Sequence, residues 1–169
     1  GGPSAAVTAL AFSPDGDTLY VAGLDKVVRE WRRRDGGFVL ARTFRVPIGP
    51  GTGGAINAIA VSPDGSWLAL AGRAPMRGET GFQRTGVIVE AAAFTPEQLE
   101  DAGLIYLVNT TDPTGGKVLR GHRGEVRALA FAPAMAKKPP LLVSTGNERV
   151  GTRRYGGVRL WNVETGKQL

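Results

Sequence analysis

Residues 7–23 read VTALAFSPDGDTLYVAG, and residues 56–72 read INAIAVSPDGSWLALAG. A third, more divergent copy, VRALAFAPAMAKKPPLLVSTG, runs over residues 126–146. The matching alanines, Ala9, Ala58 and Ala128, stand 49 and then 70 residues apart. A unit of about 40 to 50 residues, with extra material in the later copies, is the period of a propeller blade. The run from Val7 to Phe12 alternates small and large apolar residues, as a strand buried on both faces does. Ser13-Pro14-Asp15-Gly16 then makes a tight turn: Pro presets φ, Asp bonds its own backbone, and Gly accepts φ > 0. A second strand returns over residues 19–23 and a third follows Asp25 over residues 27–31. Asp35-Gly36-Gly37 turns the chain into a fourth over residues 38–45. That is a four-stranded antiparallel meander, one blade, with small alanines at the crowded position nearest a central axis.

Composition agrees with an all-β chain. The 169 residues include 25 glycines and 11 prolines, roughly a fifth of the chain against about 12% in average usage. Charged residues at 21% and aromatics at 7% exclude a coiled coil or a polar disordered tail. No apolar run approaches the ~20 residues that cross a bilayer, and no signal-peptide pattern is present. With no cysteine, disulfides and thiolate metal sites are excluded, and a cytoplasmic location is the expectation. The net charge of +6 comes from scattered basic residues hardly interleaved with aromatics, which disfavours a nucleic-acid partner. The opening Gly1-Gly2-Pro3, without Met, reads as the start of an excised or processed piece.

The endings of the units carry a family likeness. Val158-Arg159-Leu160-Trp161-Asn162-Val163-Glu164-Thr165-Gly166-Lys167 resembles the end of a WD repeat, with Asn162 in place of the usual Asp. Gly121-His122 resembles the Gly-His that opens such a repeat, and Asp25, six residues before Trp31, matches its turn aspartate. The resemblance is to the WD-repeat β-propeller family, in a divergent and bacterial form. It implies a partial propeller of about three four-stranded blades: blade one at about 6–46, blade two at about 55–120, and an incomplete blade three at about 125–169. In that family a His, a strand Ser or Thr, the turn Asp and the Trp form a buried hydrogen-bonded tetrad. Asp25, Trp31, His122 and Trp161 are its structural positions here. No blade shows all four: Pro3 stands at the first His position, Thr52 and Val108 replace His and Trp in the second blade, and Tyr155 falls where the third Asp belongs. Interblade packing is therefore expected to rest mainly on apolar contacts.

Three irregular segments fall on one face of the meander. An insertion over residues 73–103 separates the second and third strands of blade two. It contains a possible extra strand at residues 86–89 and a short helix at residues 95–101, where Thr95 caps, Pro96 takes the first position and Gly103 stops it. A smaller expansion, NERVGTRRYGG over residues 147–157, sits at the same joint of blade three, and a Gly-rich stretch spans residues 46–54. Long loops gathered on one face of a rigid scaffold are where binding concentrates. The candidate partner-binding face holds Arg73, Arg77, Phe82, Arg84, Arg149, Arg153, Arg154 and Tyr155. The arginines suit carboxylate or phosphate, and the aromatics suit anchoring. Glu79 and Glu148 oppose them.

No catalytic, cofactor or metal motif stands out. His122 is the only histidine and its Gly-His setting explains it structurally. No P-loop, dinucleotide-binding or zinc-protease pattern occurs. The glycine run at residues 49–54 lacks a following Lys. Asp15 and Asp64 are turn residues. The reading is a non-catalytic scaffold that binds a protein or peptide through one propeller face, as part of a larger multidomain protein. The resemblance supports this, since WD-repeat proteins are overwhelmingly binding platforms. The alternative is a fragment of a lactonase-like or peptidase-associated propeller enzyme, with Asn57 and Glu125 near the strand entrances. Roughly three blades do not close a ring of four to eight. The chain is therefore expected to need further blades, or copies of itself, to cover its open ends.

Overall fold

A four-stranded sheet with apolar residues on both faces is unstable in water until each face meets another sheet. The computed structural model shows how this chain meets that need, describing residues 5–45, 55–73, 103–112, 116–134, 138–150 and 153–169. Among these residues twelve strands form three antiparallel meanders. The first holds β1 (Val7–Phe12), β2 (Thr18–Gly23), β3 (Val28–Arg34) and β4 (Gly37–Phe44). The second holds β5 (Ile56–Val61), β6 (Trp67–Gly72), β7 (Gly103–Asn109) and β8 (Gly116–His122). The third holds β9 (Val126–Phe131), β10 (Leu141–Val150), β11 (Arg153–Asn162) and a two-residue β12 (Lys167–Gln168). The chain is all-β, a partial propeller. The strand expected at residues 86–89 and the helix expected at residues 95–101 lie outside the described residues, as does the stretch at 46–54.

The repeated alanines occupy equivalent places. Ala9 pairs with Ala22, Ala58 with Ala71, and Ala128 with Thr145. In all three first strands the register shifts just before that alanine, so Thr8, Asn57 and Arg127 are matching bulge residues. Opposite each bulge stands a glycine: Gly23, Gly72 and Gly146. A side chain there would collide with the backbone of the neighbouring strand. A Cβ on Gly23 would lie 2.1 Å from the Ala6 carbonyl oxygen, one on Gly72 2.0 Å from that of Ala55, and one on Gly146 2.7 Å from that of Glu125. The same three carbonyls accept the N–H groups of Leu24, Arg73 and Asn147, at 3.0, 3.0 and 2.9 Å. The bulge bends each first strand and the glycine lets the second pass close beside it.

The turns at the other end are also repeated. Ser13 N–H donates to the Thr18 carbonyl and Ser62 N–H to that of Trp67, both at 2.8 Å. Asp15 and Asp64 accept from their own serines and from the backbone N–H groups of Asp17 and Ser66. These bonds explain both aspartates as turn builders.

Two apolar layers lie between the blades. One joins Tyr20, Ala22, Val28 and Phe44 of the first blade to Ile56, Ile59, Leu68, Leu70, Leu104, Tyr106 and Val108 of the second. The other joins Ala69, Ala71, Ile105, Leu107 and Leu119 of the second to Val126, Leu142, Trp161 and Val163 of the third. The second blade is thus covered on both faces, and β7 is buried over residues 103–108. In the outer blades one face stays open. Leu10 and Phe12, equivalent to Ile59 and Val61, are 63% and 52% exposed. On the far side Ala128 and Ala130 are exposed, although the equivalent Ala9 and Ala11 pack on the layer between the first two blades.

The glycine clamp generates a paired test. Gly72→Ala forces backbone apart and should cost about 2–3 kcal/mol, the upper part of the usual overpacking range. Gly156→Ala, where an added Cβ meets nothing within 4 Å, should stay within about 0.5 kcal/mol. Urea denaturation of both variants gives the comparison, and equal losses would show that close approach is not what Gly72 provides.

Candidate interaction face and the polar network beneath it

The third blade is built around a chain of buried polar groups. His122 at the end of β8 is 1% exposed, and Ser144 on β10 is 0% exposed. The His122 Nε2 lies 2.7 Å from Ser144 Oγ, and Trp161 Nε1 donates to the same oxygen at 2.7 Å. On its other side His122 Nδ1 lies 2.6 Å from Glu148 Oε1. Glu148 also accepts from the Arg123 backbone N–H at 2.9 Å and from Arg159 Nε at 3.2 Å.

The third blade thus links four groups with a glutamate in place of the absent turn Asp, while the layers between the blades are mainly apolar, as expected. Glu148 supplies the carboxylate that Tyr155 cannot, from a strand position and not from the turn. Tyr155 is its cross-strand partner. The longer Glu side chain spans the difference, and Gly157 makes room for it, since a Cβ there would lie 2.3 Å from Glu148 Cγ.

Burial lowers the His122 pKa below its ordinary value, against the opposing pull of Glu148, so the ring is neutral. For Glu148, burial raises the pKa, but the Arg123 N–H, Arg159 and His122 outweigh it and the carboxyl stays ionised. Because the carboxylate only accepts, the proton sits on His122 Nδ1. Its Nε2 then accepts from Ser144, whose oxygen accepts from Trp161. Every donor has one acceptor in line. Serine, histidine and carboxylate in this order also occur in hydrolases. Here Ser144 Oγ is enclosed and held by Trp161, so no substrate carbonyl reaches it.

Other polar groups pin blade to blade. Thr8 Oγ1 donates to the Ile56 carbonyl and Asn57 Nδ2 to Glu125, so two bulge residues each reach the following blade. Arg127, the third, is 60% exposed at its side chain and pairs with Glu125 of its own blade at 2.8 Å. Asn57 and Glu125, expected near the strand entrances, are thus bonded to each other. Glu30, 1% exposed, is clamped by Arg32 at 2.8 Å and by Arg42, whose Nη2 donates to the Thr110 carbonyl at 2.7 Å. Lys117 Nζ donates to the Val163 carbonyl at 3.2 Å while lying 5.3 Å from the Trp67 ring centre. Sequence reasoning missed Glu30 and Arg42. The available signal was a lone acid between Val28 and Trp31 in an arginine-rich third strand, followed by a basic residue on the adjoining strand.

The structural positions are placed as follows. Asp25 accepts from the Val27 N–H at 3.2 Å and pairs with Arg29 at 2.8 Å, both side chains under 10% exposed. Trp161 fills the layer between blades two and three, and Trp31 is half-buried beside Leu19 on the open face. Among the candidate face residues, Arg153, Arg154 and Tyr155 are exposed together on β11. Arg73 is half-buried at the end of β6, with its N–H on the Ala55 carbonyl. Arg149 pairs through its backbone with Arg154, and its side chain lies outside the described residues. Arg77, Phe82 and Arg84 also lie outside them.

The segment 147–157, expected as a loop, is instead the far half of a ladder. Asn147 pairs with Gly156, Glu148 with Tyr155, Arg149 with Arg154 and Val150 with Arg153. The hairpin continues past the level where β10 leaves β9, at Gly146. Its core-side residue Glu148 is held by the buried network, which gives the strand pair a reason to continue.

Comparison with known proteins fits this architecture. The family model "WD domain, G-beta repeat" matches residues 1–32 and 41–74, the first blade and the opening of the second. The crystal structure of RRP9 WD40 repeats superposes over 100% of this chain with a TM-score of 0.66 at 21% identity. The chain spans 39% of the length of that structure. No curated protein matches. The matched repeats and the shared fold are those of WD40 propellers. Such repeats form scaffolds that are typically non-enzymatic and mediate protein interactions. Among the described residues, no helix is long and apolar enough to cross a membrane, and no group of three potential metal ligands occurs.

The histidine gives a pH signature. The unfolded ring takes a proton near the ordinary value of 6.5 and the folded ring only at lower pH. Stability contributed by the neutral ring is therefore whole above about pH 6.5 and declines below it. Ionised Glu148, held below 4.5, adds a further loss below that pH. Thermal midpoints should be flat from pH 7 to 8 and fall between 6.5 and 5. His122→Phe should flatten that window, the chain having no other histidine; an unchanged slope in the variant would contradict the assignment.

Proposed function

We propose that this chain is a non-catalytic, WD-repeat-like scaffold that binds a protein or peptide through one propeller face as part of a larger protein. The observation that carries this is the β10–β11 hairpin. It leaves the blade, is anchored at its root by His122, Glu148 and Arg159, and presents Arg153, Arg154 and Tyr155 to solvent. A rigid base with exposed arginine and aromatic side chains is the composition of an interaction hot spot. Arg73 and the residues of the insertion belong to the same face in chain order. The exposed apolar faces of the outer blades suit further blades of the parent protein or a second copy, since both repeat the chemistry of the covered interfaces.

The hairpin reading is tested by selecting peptides from a random display library on the 169-residue chain. Selected peptides should lose at least about tenfold in affinity with Arg153→Glu, Arg154→Glu or Tyr155→Ala, a loss of about 1.4 kcal/mol. Arg34→Glu, at the opposite end of the first blade, should leave them unaffected. Peptides that respond to Arg34→Glu and ignore the hairpin variants would locate binding elsewhere.

A further inference from the structure

The two interfaces between blades differ at the end that carries the Ser-Pro-Asp-Gly turns. The ladders set the equivalent positions: Thr18 pairs with Arg32 and Tyr20 with Glu30, as Trp67 pairs with Asn109 and Ala69 with Leu107. Thr18 therefore holds the place of Trp67, and Glu30 that of Leu107. Between blades two and three, Trp67 packs on the apolar layer and the Lys117 ammonium lies 5.3 Å from its ring centre. Between blades one and two a threonine stands at that position, and the blades enclose a groove of about 330 Å³. Asp15, Thr18 and Tyr20 line it from blade one, and Pro63, Asp64 and Thr111 from blade two. Both blades that form it carry four described strands.

The cations beside the groove are already engaged. Arg32 is bonded to Glu30 at 2.8 Å, Arg42 to Glu30 and the Thr110 carbonyl, and Arg33 to Asp17 at 3.1 Å. Asp15 and Asp64 pair with no basic side chain among the described residues. Asp15 receives the Ser13 hydroxyl and the Asp17 N–H on Oδ1 alone, and Asp64 Oδ2 receives only the Ser66 hydroxyl. Each carboxylate thus keeps lone pairs to offer. The Ser13 hydroxyl and the Asp17 N–H hold the Asp15 carboxyl below its ordinary range; burial raises that of Asp64, but Ser62 and Ser66 outweigh it. Both are ionised. Two carboxylates on turns of adjoining blades call for a cation with several donors, which is what a guanidinium is.

Tyr20 separates a peptide from a bare cation. Its side chain belongs to a residue only 4% exposed, and Arg42 donates toward its oxygen. Among the described residues its hydroxyl proton has no acceptor, and a buried O–H needs one. A metal ion or a polyamine supplies none, whereas the main-chain carbonyl beside an arginine does.

We propose that the groove between blades one and two takes an arginine of a partner peptide, its guanidinium on Asp15 and Asp64 and an adjoining carbonyl on the Tyr20 hydroxyl. The arginine methylenes lie against Pro63. This groove is at the opposite end of the sheets from the β10–β11 hairpin, so it stands or falls independently of the hairpin reading.

The test titrates the isotope-labelled 169-residue chain with a capped pentapeptide, one arginine flanked by glycines and alanines, and follows amide chemical shifts at low salt. Saturable shifts should map to Asp15, Thr18, Asp64 and Thr111, and weaken with added salt. Asp15→Asn plus Asp64→Asn, which keeps the turn acceptors, should weaken binding at least about tenfold, as should citrulline in place of the peptide's arginine. Tyr20→Phe should cost about 2–10-fold, the range of one hydrogen bond. Thr18→Trp should fill the groove as Trp67 fills its equivalent, abolishing the shifts without lowering the thermal midpoint. Thermal midpoints also check that the other variants are folded. Shifts confined to other residues, unchanged binding to both the Thr18→Trp and the double asparagine variants, or no shifts by about 10 mM peptide would each overturn the proposal. Spermine binding at the same amides as tightly as the peptide, with Tyr20→Phe without effect on either, would show recognition of charge alone and overturn the peptide assignment.

Discussion

Each sheet in this chain owes half of its burial to another sheet. A four-stranded meander alternating apolar residues on both faces has two surfaces to remove from water, and only face-to-face stacking removes both. The second blade meets this condition on each side, which is why Leu70, Ile105 and Leu107 are wholly buried. The first and third blades meet it on one side. The positional equivalence is close: Leu10 and Phe12 are exposed where Ile59 and Val61, and Leu129 and Phe131, pack against a preceding blade.

Apolar stacking alone leaves the sheets free to slide or rotate, and directional bonds remove that freedom. Near the axis, Thr8 and Asn57 reach the next blade from bulges that also bend the inner strands. At the rim, Arg42 and Lys117 cross to neighbouring carbonyls. Between blades two and three, the line from Trp161 through Ser144 and His122 to Glu148 joins strands β8, β10 and β11 in one polarised chain. Because His122 closes the second blade and its partners lie in the third, this network sets blade orientation and supports the root of the projecting hairpin. Structure and candidate function meet at Glu148.

Much of the fold was legible from residues alone because its signals are local. Alternation from Val7 to Phe12, the Ser-Pro-Asp-Gly turns, and the recurring alanine and glycine positions each follow from short-range sterics and hydrogen bonding. The parts that were not legible depend on side-chain reach across strands. From sequence Glu148 reads as a surface charge because the family pattern places the carboxylate at one turn position, and spacing does not show that a longer acid two strands away reaches the same histidine. Residues 147–157 looked like a loop because glycine and arginine carry weak strand preference. Their ladder is held by tertiary contacts that propensity does not record. Asn57 and Glu125, 68 residues apart, read from sequence as two separate residues, and only stacking brings them into contact.

Native-state hydrogen exchange on the 169-residue chain tests mutual burial between stacked sheets most directly. If stacking is the source of order, the slowest-exchanging amides lie in β5, β6 and β7, which are covered on both faces. Amides of β1 and β2, and of β11, then open at lower free energy. Equal protection across all three sheets, or greatest protection in the first or third, would contradict the account, because each sheet would then carry its stability within itself.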